Sequence, residues 1–600
     1  MGKLIDEKFK DSSPQETVAR IQGILGGLGL TVKESWCEHA VTNCYALTVE
    51  IEGTRLKTAG KGVTADLARA SGHAELMERL QSGLLNPAGI ISYNDTVLMD
   101  KQALKTNCQD YFSRFAKVIS KFYGVEKTVD QLVDICFDYE CGGETTEVIP
   151  FYSVTDDEMV YVPSRLMMPL YSSSGNCAGN TPAEAIVQGV SEIVERWCQR
   201  HFMSTDIVPP TVPEEYLKQF PRAYETITDI RNKGLDVIVK DCSMGTGYPV
   251  IATAVIDKKT HCYHVHMGAS PIFEIALGRS LTETFQGRVI NSVADTSLSE
   301  NISDSVSSYR KAYVYGRGIY PIAFFSENSS FPFVPFADRT GCSNMDLLEY
   351  VVDYIHNQGM KMYIRDVSHM GFSSYKIIVP DICDVDLNFM LTTVPVPALV
   401  GSTEQFKRDL KNANADQLFE MQLFNAYRVE NSLLDGTPKC TRLMKLPVTD
   451  NAYADVAIGY IHLGFVEWAC GSIKKANMIA KNIAALNCPG ISEFFSCYSR
   501  VTDMLKKDSL DNVLSMLSIF YDADVIMQVK QVITEKSNPF YDYVITCDPD
   551  NGTCASCRYA ESCVVVPQNN LAKIVNDYAA KFDNAKAFDR LKALFHSLSA

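Results

Sequence analysis

The sequence predicts an α+β protein in two parts: a mixed strand-and-helix region over residues 1–385 and a helical region over residues 386–600. Up to about Asp386, runs of β-type alternation such as Cys44–Glu52 interleave with helical periodicities. Beyond it strand signals fade, and alanine-rich helical patterns such as Ala452–Ala485 replace them. Six hundred residues also exceed one ordinary domain.

The elements follow in chain order. Pro14–Leu28 reads as an amphipathic helix with Ser12 and Ser13 as caps. Cys44–Glu52 is a strand, and Gly60-Lys61-Gly62 reads as a turn. Thr64 caps a helix that carries Glu75 and Glu78. Thr106–Tyr139 is mixed helix, and Val148–Val162 reads as short strands. Tyr171–Asn180 is a loop rich in Ser, Gly and Asn. Thr181-Pro182 then opens a helix that runs to about Phe202, with proline where the first turn accepts it. Val237–Asp241, Val250–Ile256 and His261–His266 are strands around the Gly245-Thr246-Gly247 turn. Phe273–Val289 is a third helix, and Met362–Asp366 and Tyr375–Val379 are late strands. In the second part, Tyr453, Gly459, Leu463, Gly464 and Ala469 follow a tetratricopeptide-like spacing, which predicts helical hairpins.

Composition narrows the function classes. Hydrophobic content of 46% with 21% charged residues is that of a folded soluble protein. A net charge of −16 argues against a broad nucleic-acid surface. No uncharged apolar run reaches about 18 residues, so no membrane-spanning helix is expected. The N-terminal residues contain no apolar signal region. Nineteen cysteines, fifteen of them scattered, fit free thiols in a reducing, cytoplasmic setting.

Two stretches repeat a pattern. Ser71–Arg79 and Ser191–Arg196 both end in Glu-x-x-Glu-Arg, as Glu75, Glu78, Arg79 and Glu192, Glu195, Arg196. A third stretch holds Arg279, Glu283, Gln286 and Arg288. A helix puts residues three or four apart on one face, so each glutamate pair converges. One such motif alone reads as a solvated face with internal salt bridges. Two near-copies, each behind a serine and among apolar residues, read instead as one shared site. Converging carboxylates are costly unless cations join them, and oxygen-rich clusters suit magnesium, which commonly also holds phosphates. The small residues from Ser172 to Asn180 let backbone approach an anion at a helix start.

These residues resemble the YcaO family, ATP-dependent enzymes that activate peptide-backbone amides. The likeness spans Lys10-Asp11, Gly60-Lys61-Gly62, Ser71–Arg79, Ser174–Arg196, Gly268–Arg288, Tyr363–Asp366 and Ile377–Pro380, within about the first 380 residues. It implies a YcaO-type ATP-binding catalytic domain over 1–385 and a helical, tetratricopeptide-like domain over 386–600. By motif, Glu75, Glu78, Glu192 and Glu195 would hold magnesium. Gln188 would sit beside them, and Ser71 and Arg196 would line the nucleotide. Arg279, Glu283 and Arg288 would face the phosphates, supported by Gln286. Lys10 and Thr17 would touch the nucleotide, Thr17 standing where the family has a serine. Glu78, Glu195, Arg279, Glu283 and Arg288 would form the catalytic group.

The chemistry implied is transfer of the ATP γ-phosphate to an amide oxygen, which then leaves as phosphate. The nucleophile would be a peptide side chain or an external sulfide, the second giving a thioamide. The C-terminal residues Leu594–Ala600 lack the proline-rich tail of azoline-forming relatives, which argues against azoline synthesis. The stand-alone, non-azoline branch includes accessory factors for methylthiolation of a ribosomal protein. A peptide or protein substrate, a sulfur-transfer or methylthiotransferase partner and a homodimer are the implied associations. The alternative is an ATP-binding scaffold that recruits a partner enzyme without peptide chemistry of its own. No Gly-x-x-x-x-Gly-Lys-Ser/Thr loop is present, so this is not a P-loop protein.

Two further motifs stand apart. Cys547, Cys554, Cys557 and Cys563 crowd seventeen residues as C-x6-C-x2-C-x5-C, a set suited to zinc or an iron–sulfur cluster. His261, His264 and His266 form His-x-x-His-x-His on a strand, read as an exposed strand edge rather than a metal site. Trp36 and Trp197 are read as core.

Overall fold

The computed structural model describes residues 5–54, 56–83, 93–138, 144–171, 173–299, 309, 312, 316–384, 452–469, 471–544, 553–557, 560–561 and 563–598. The fold is a mixed α+β region followed by a helical one. Three antiparallel sheets organise the first. Strands β1 (Val32–Trp36), β2 (Tyr45–Ile51) and β3 (Lys57–Gly62) form one in that order. Strands β4 (Val97–Met99), β5 (Thr146–Ser153), β6 (Glu158–Pro163) and β7 (Asn176–Ala178) belong to a second, and β8 (Asp236–Asp241), β9 (Val250–Asp257), β10 (Cys262–Ala269) and β11 (Thr296–Ser297) form a third. The late strands β12 (Tyr363–Asp366) and β13 (Ser374–Ile378) return to the second sheet, whose order is β4-β5-β12-β13-β7 with β6 on β5.

Helix starts follow their caps. Ser13 makes a capping box with Glu16 ahead of Pro14–Gly27. Thr64 accepts the Leu67 N–H at 3.2 Å ahead of Ala65–Gln81. Thr181 accepts the Glu184 N–H at 3.3 Å ahead of Pro182–Ser204. The third helix stops earlier than its pattern suggests, at Phe273–Thr284. Gly287 has φ +72°, a left-handed turn that leaves Gln286 and Arg288 outside the helix. Gly60-Lys61-Gly62 is the end of β3, not a turn, because the following helix packs directly onto it. Trp36 is 50% exposed rather than core.

Contacts divide the chain into two compact units, one of residues 1–137, 144–391 and 571–600, the other of residues 138–143 and 392–570. The boundary expected at residue 386 falls within 385–451, outside the described residues, and the C-terminal stretch 571–600 groups with the first unit. In the first unit Phe588 meets Tyr152 edge to face and Phe595 lies tilted against it, with ring centroids 5.3 and 5.9 Å away. Arg365 reaches Asp95 at 2.7 Å and Asn584 at 3.1 Å, and Arg590 reaches Asp366 at 3.1 Å. Apolar and ionic contacts from residues over 200 positions apart thus close the second sheet, and no local pattern announces them.

The second unit contains helices Ala452–Ala469, Ile473–Ala485, Ser492–Met504, Leu510–Leu517 and Ala523–Glu535. Its core includes Ile461, Val466, Ile479, Ile483, Phe495 and Tyr498. Gly464 leaves room for the Phe540 ring, which a Cβ would meet at 2.3 Å.

The packing of the C-terminal helix makes a prediction. Phe595 is 5% exposed, so Phe595→Ala should destabilise the first unit by about 3–5 kcal/mol. Urea unfolding of the full chain measures this, and a loss below about 1 kcal/mol would show the helix to be loosely attached.

Candidate functional site

Three helices carry the site, and each lies on a strand at a glycine. Where Ala65–Gln81 crosses β3, a Cβ on Gly60 would stand 2.2 Å from the Ala68 carbonyl oxygen. Where Pro182–Ser204 crosses β7, a Cβ on Gly189 would stand 2.8 Å from the Cys177 sulfur. Where Phe273–Thr284 crosses β10, a Cβ on Gly268 would stand 2.4 Å from the Ala276 carbonyl oxygen. Any side chain at these points would push helix and strand apart, so the glycines set how close the three helices come.

On the first two helices the repeated motif does the same thing twice. Arg79 donates to Glu75 at 3.0 Å and stands 3.5 Å from Glu78. Arg196 donates to Glu192 through two nitrogens, at 3.0 and 2.8 Å. Each arginine therefore takes up the first glutamate of its motif and leaves the second less compensated. Burial pushes Glu78 up to about 8, with Glu192 and Glu75 adding to the rise against the pull of Arg79. Burial likewise pushes Glu195 up to about 8, helped by Glu283 and opposed by Arg279 and Arg196. Burial alone would raise Glu192 too, but Arg196, Arg79 and Arg279 hold it below the ordinary carboxylate range.

The third helix brings Glu283 beside Glu195. Lys61 on β3 meets Glu283 at 2.6 Å, and His266 on β10 lies 3.4 Å from its other oxygen. Burial would raise Glu283, but Lys61, His266 and Arg279 bring it down to about 2. Arg279 Nε is buried with no hydrogen-bond partner among the described residues. Arg288 donates to the Gly316 carbonyl at 3.2 Å and lies 3.5 Å from Asp295. Gln286 donates to the Ala59 carbonyl at 3.0 Å.

The N-terminal candidates sit at the start of the second helix. Lys10 donates to Glu184 at 3.1 Å, and Asn180 and the Asp11 N–H donate to the same carboxylate. Burial would raise Glu184, but Lys10 and these donors hold it below the ordinary range. Thr17 donates to Asn180 at 2.9 Å. Ser71 and Gln188 are half-buried on the first and second helices.

Three residues join this region that the sequence reading did not assign to it. Lys61 was part of an apparent turn. His266 belonged to the supposed exposed strand edge, yet its side chain is only 17% exposed and lies against Glu283, with His264 buried on the same strand. Lys376 on β13 is buried, donates to the Ser174 carbonyl at 2.8 Å, and is pushed down to about 8 by burial. A lysine inside an apolar strand, as in Tyr375-Lys376-Ile377, is a signal that could have marked it. Of the cysteine set, Cys554, Cys557 and Cys563 are half-buried and Cys547 lies outside the described residues. Among the described residues, the group of His, Cys, Asp and Glu ligands placed to share an ion is Glu195, His266 and Glu283. No helix among the described residues is long and apolar enough to cross a membrane.

Comparison with known proteins gives a family. The family described as YcaO cyclodehydratase, ATP- and Mg2+-binding, matches residues 59–383. The chain is 26% identical over 392 residues to the ribosomal protein S12 methylthiotransferase accessory factor YcaO of Escherichia coli. It is 25% identical over 399 residues to an uncharacterized protein of Haemophilus influenzae. Each match covers 63% of this chain and 66% of the relative, so the chain spans just under two thirds of the length of these curated relatives. Among solved structures it is similar to YcaO from Methanopyrus kandleri bound with AMPPCP and Mg2+, at 17% identity, 63% of this chain, 94% of that chain and TM-score 0.40. It is also similar to a heterocyclase in complex with substrate and cofactor, at 18% identity, 62% and 52% coverage and TM-score 0.45.

The carboxylates make stability depend on pH when no metal is present. Glu78 and Glu195 rise from an ordinary 4.5 to about 8, so the folded chain keeps protons that the unfolded chain releases. Stability therefore falls as pH climbs toward 8. His266 acts oppositely, but only between about 4 and 6.5. In chelator, the melting temperature should drop from pH 6.5 to pH 8, and Glu195→Gln should shrink that drop. An undiminished drop in the variant would mean that Glu195 is already ionised.

Proposed function

The chain belongs to the YcaO family, and we propose that its first unit uses ATP and magnesium to activate a peptide-backbone amide. The observation that carries this reading is the doubled Glu-x-x-Glu-Arg pattern, whose arginines close on Glu75 and Glu192 and leave Glu78 and Glu195 less compensated, with Arg279 beside Glu195. Buried like charges of this kind are relieved by hard dications, and an arginine with an unused buried N–H suits a phosphate oxygen. Glu75, Glu78, Glu192 and Glu195 would hold magnesium; Arg279 and Arg288 would meet phosphates, with Gln286 in support. Ser71, Gln188 and Arg196 would border the nucleotide. Lys10 and Thr17, tied to Glu184 and Asn180, would place the N-terminal segment against it. Magnesium-bound ATP supplies the phosphoryl group that turns an amide oxygen into a leaving group.

The residues present do the rest. Arg79 and Arg196 hold Glu75 and Glu192 on their helix faces, which aims each motif toward the other. Lys61 fixes Glu283 and adds positive charge where phosphate charge would develop. A peptide or protein would be the substrate, with thioamidation by an external sulfide as one outcome. A sulfur-transfer or methylthiotransferase protein would be the partner. The name of the Escherichia coli relative, an accessory factor, favours a second reading in which the chain binds ATP and recruits a partner enzyme.

Calorimetry with a non-hydrolysable ATP analogue tests the site. Glu78→Gln and Glu195→Gln should each weaken magnesium-dependent binding at least tenfold, about 1.4 kcal/mol. Unchanged binding in both would place the nucleotide elsewhere. ATP turnover that rises with an added peptide supports the enzyme reading, and binding without turnover favours the scaffold.

A further inference from the structure

We infer that Glu195, His266 and Glu283 form a seat for a first-row transition-metal dication of the zinc or cobalt type, chemically distinct from the all-carboxylate magnesium set. It goes beyond the nucleotide reading, with which it shares two glutamates. The three side chains come from three elements: the Pro182–Ser204 helix, β10 and the Phe273–Thr284 helix. Their donor atoms all lie within 4.8 Å of one another.

The histidine's geometry is what distinguishes this group from a cluster of acids. His266 Nδ1 lies 3.1 Å from the Met267 carbonyl oxygen. A carbonyl only accepts, so Nδ1 carries the ring proton. Nε2 then presents a lone pair toward Glu283, whose Oε2 is 3.4 Å away. Two acceptors facing each other at that distance repel unless a cation lies between them. Lys61 does not fill the gap, because it engages the other oxygen, Oε1.

The surrounding bonds also suit a ligand set. An imidazole whose far nitrogen donates to a backbone carbonyl is oriented and tautomer-fixed as metal-bound histidines are. Glu195 Oε2 accepts the Ala269 N–H at 3.1 Å, which fixes that carboxylate and leaves its other oxygen for an ion. One nitrogen and two carboxylates leave positions open for water or a substrate oxygen. Magnesium prefers oxygen ligands alone, whereas an imidazole shifts preference toward zinc, cobalt and their neighbours.

Cobalt(II) added to the nucleotide-free full chain tests this, read by visible d–d absorption and by calorimetry. The expected result is about one cobalt per chain with enhanced d–d bands and no near-ultraviolet thiolate band. His266→Gln and Glu283→Gln should each weaken binding at least tenfold. His261→Asn, at the exposed end of the same hairpin, should leave it unchanged. Melting curves check that each variant folds, and if His266→Gln does not, Glu283→Gln decides. No cobalt binding, binding unchanged in both variants, or a spectrum of thiolate ligation alone would overturn the inference. Binding of ATP with magnesium is measured separately, so either reading can fail without the other.

Discussion

Like-charged carboxylates held at short range inside a fold need something positive, and the first unit is arranged around that need. Glu75 and Glu78, Glu192 and Glu195, and Glu283 come from three helices. Glycines at 60, 189 and 268 let those helices lie closer to their strands than side chains would allow. Arg79, Arg196, Arg279 and Lys61 answer part of the charge. The remainder appears as two glutamates whose protons are held to about pH 8. A fold does not need such a group for stability alone, since apolar residues of similar size would serve the core better.

The arginines explain why the motif works as a unit. In each copy the arginine lies one residue after the second glutamate, four after the first. Helix geometry lets it close on the first and stand off the second. One glutamate is thereby held and oriented on its helix face, while the other is left to gain a cation. Shifting the arginine by one residue would break this division of roles.

Much of this was legible in the sequence, because helices and caps are local. Ser13 and Thr64 cap where their patterns indicated, Thr181-Pro182 opens its helix, and the two glutamate motifs fall on helices. What failed was non-local. Gly60-Lys61-Gly62 looked like a turn because its glycines serve close packing rather than a bend. His266 looked exposed because the helix residue that lies against it, Glu283, is not written in the strand. Helical periodicity past Thr284 was interrupted by the left-handed Gly287. The last helices joined the first unit through contacts such as Phe595 with Tyr152, which span most of the chain.

The central claim is that Glu78 and Glu195 are held short of a cation in the metal-free fold. Proton release on magnesium binding tests it most directly. Titrating magnesium calorimetrically at pH 7, in buffers of different ionisation enthalpy, counts the protons exchanged. The account predicts net proton release that disappears in the Glu78→Gln, Glu195→Gln double variant. Magnesium binding without proton release, or release that persists in the double variant, would contradict it.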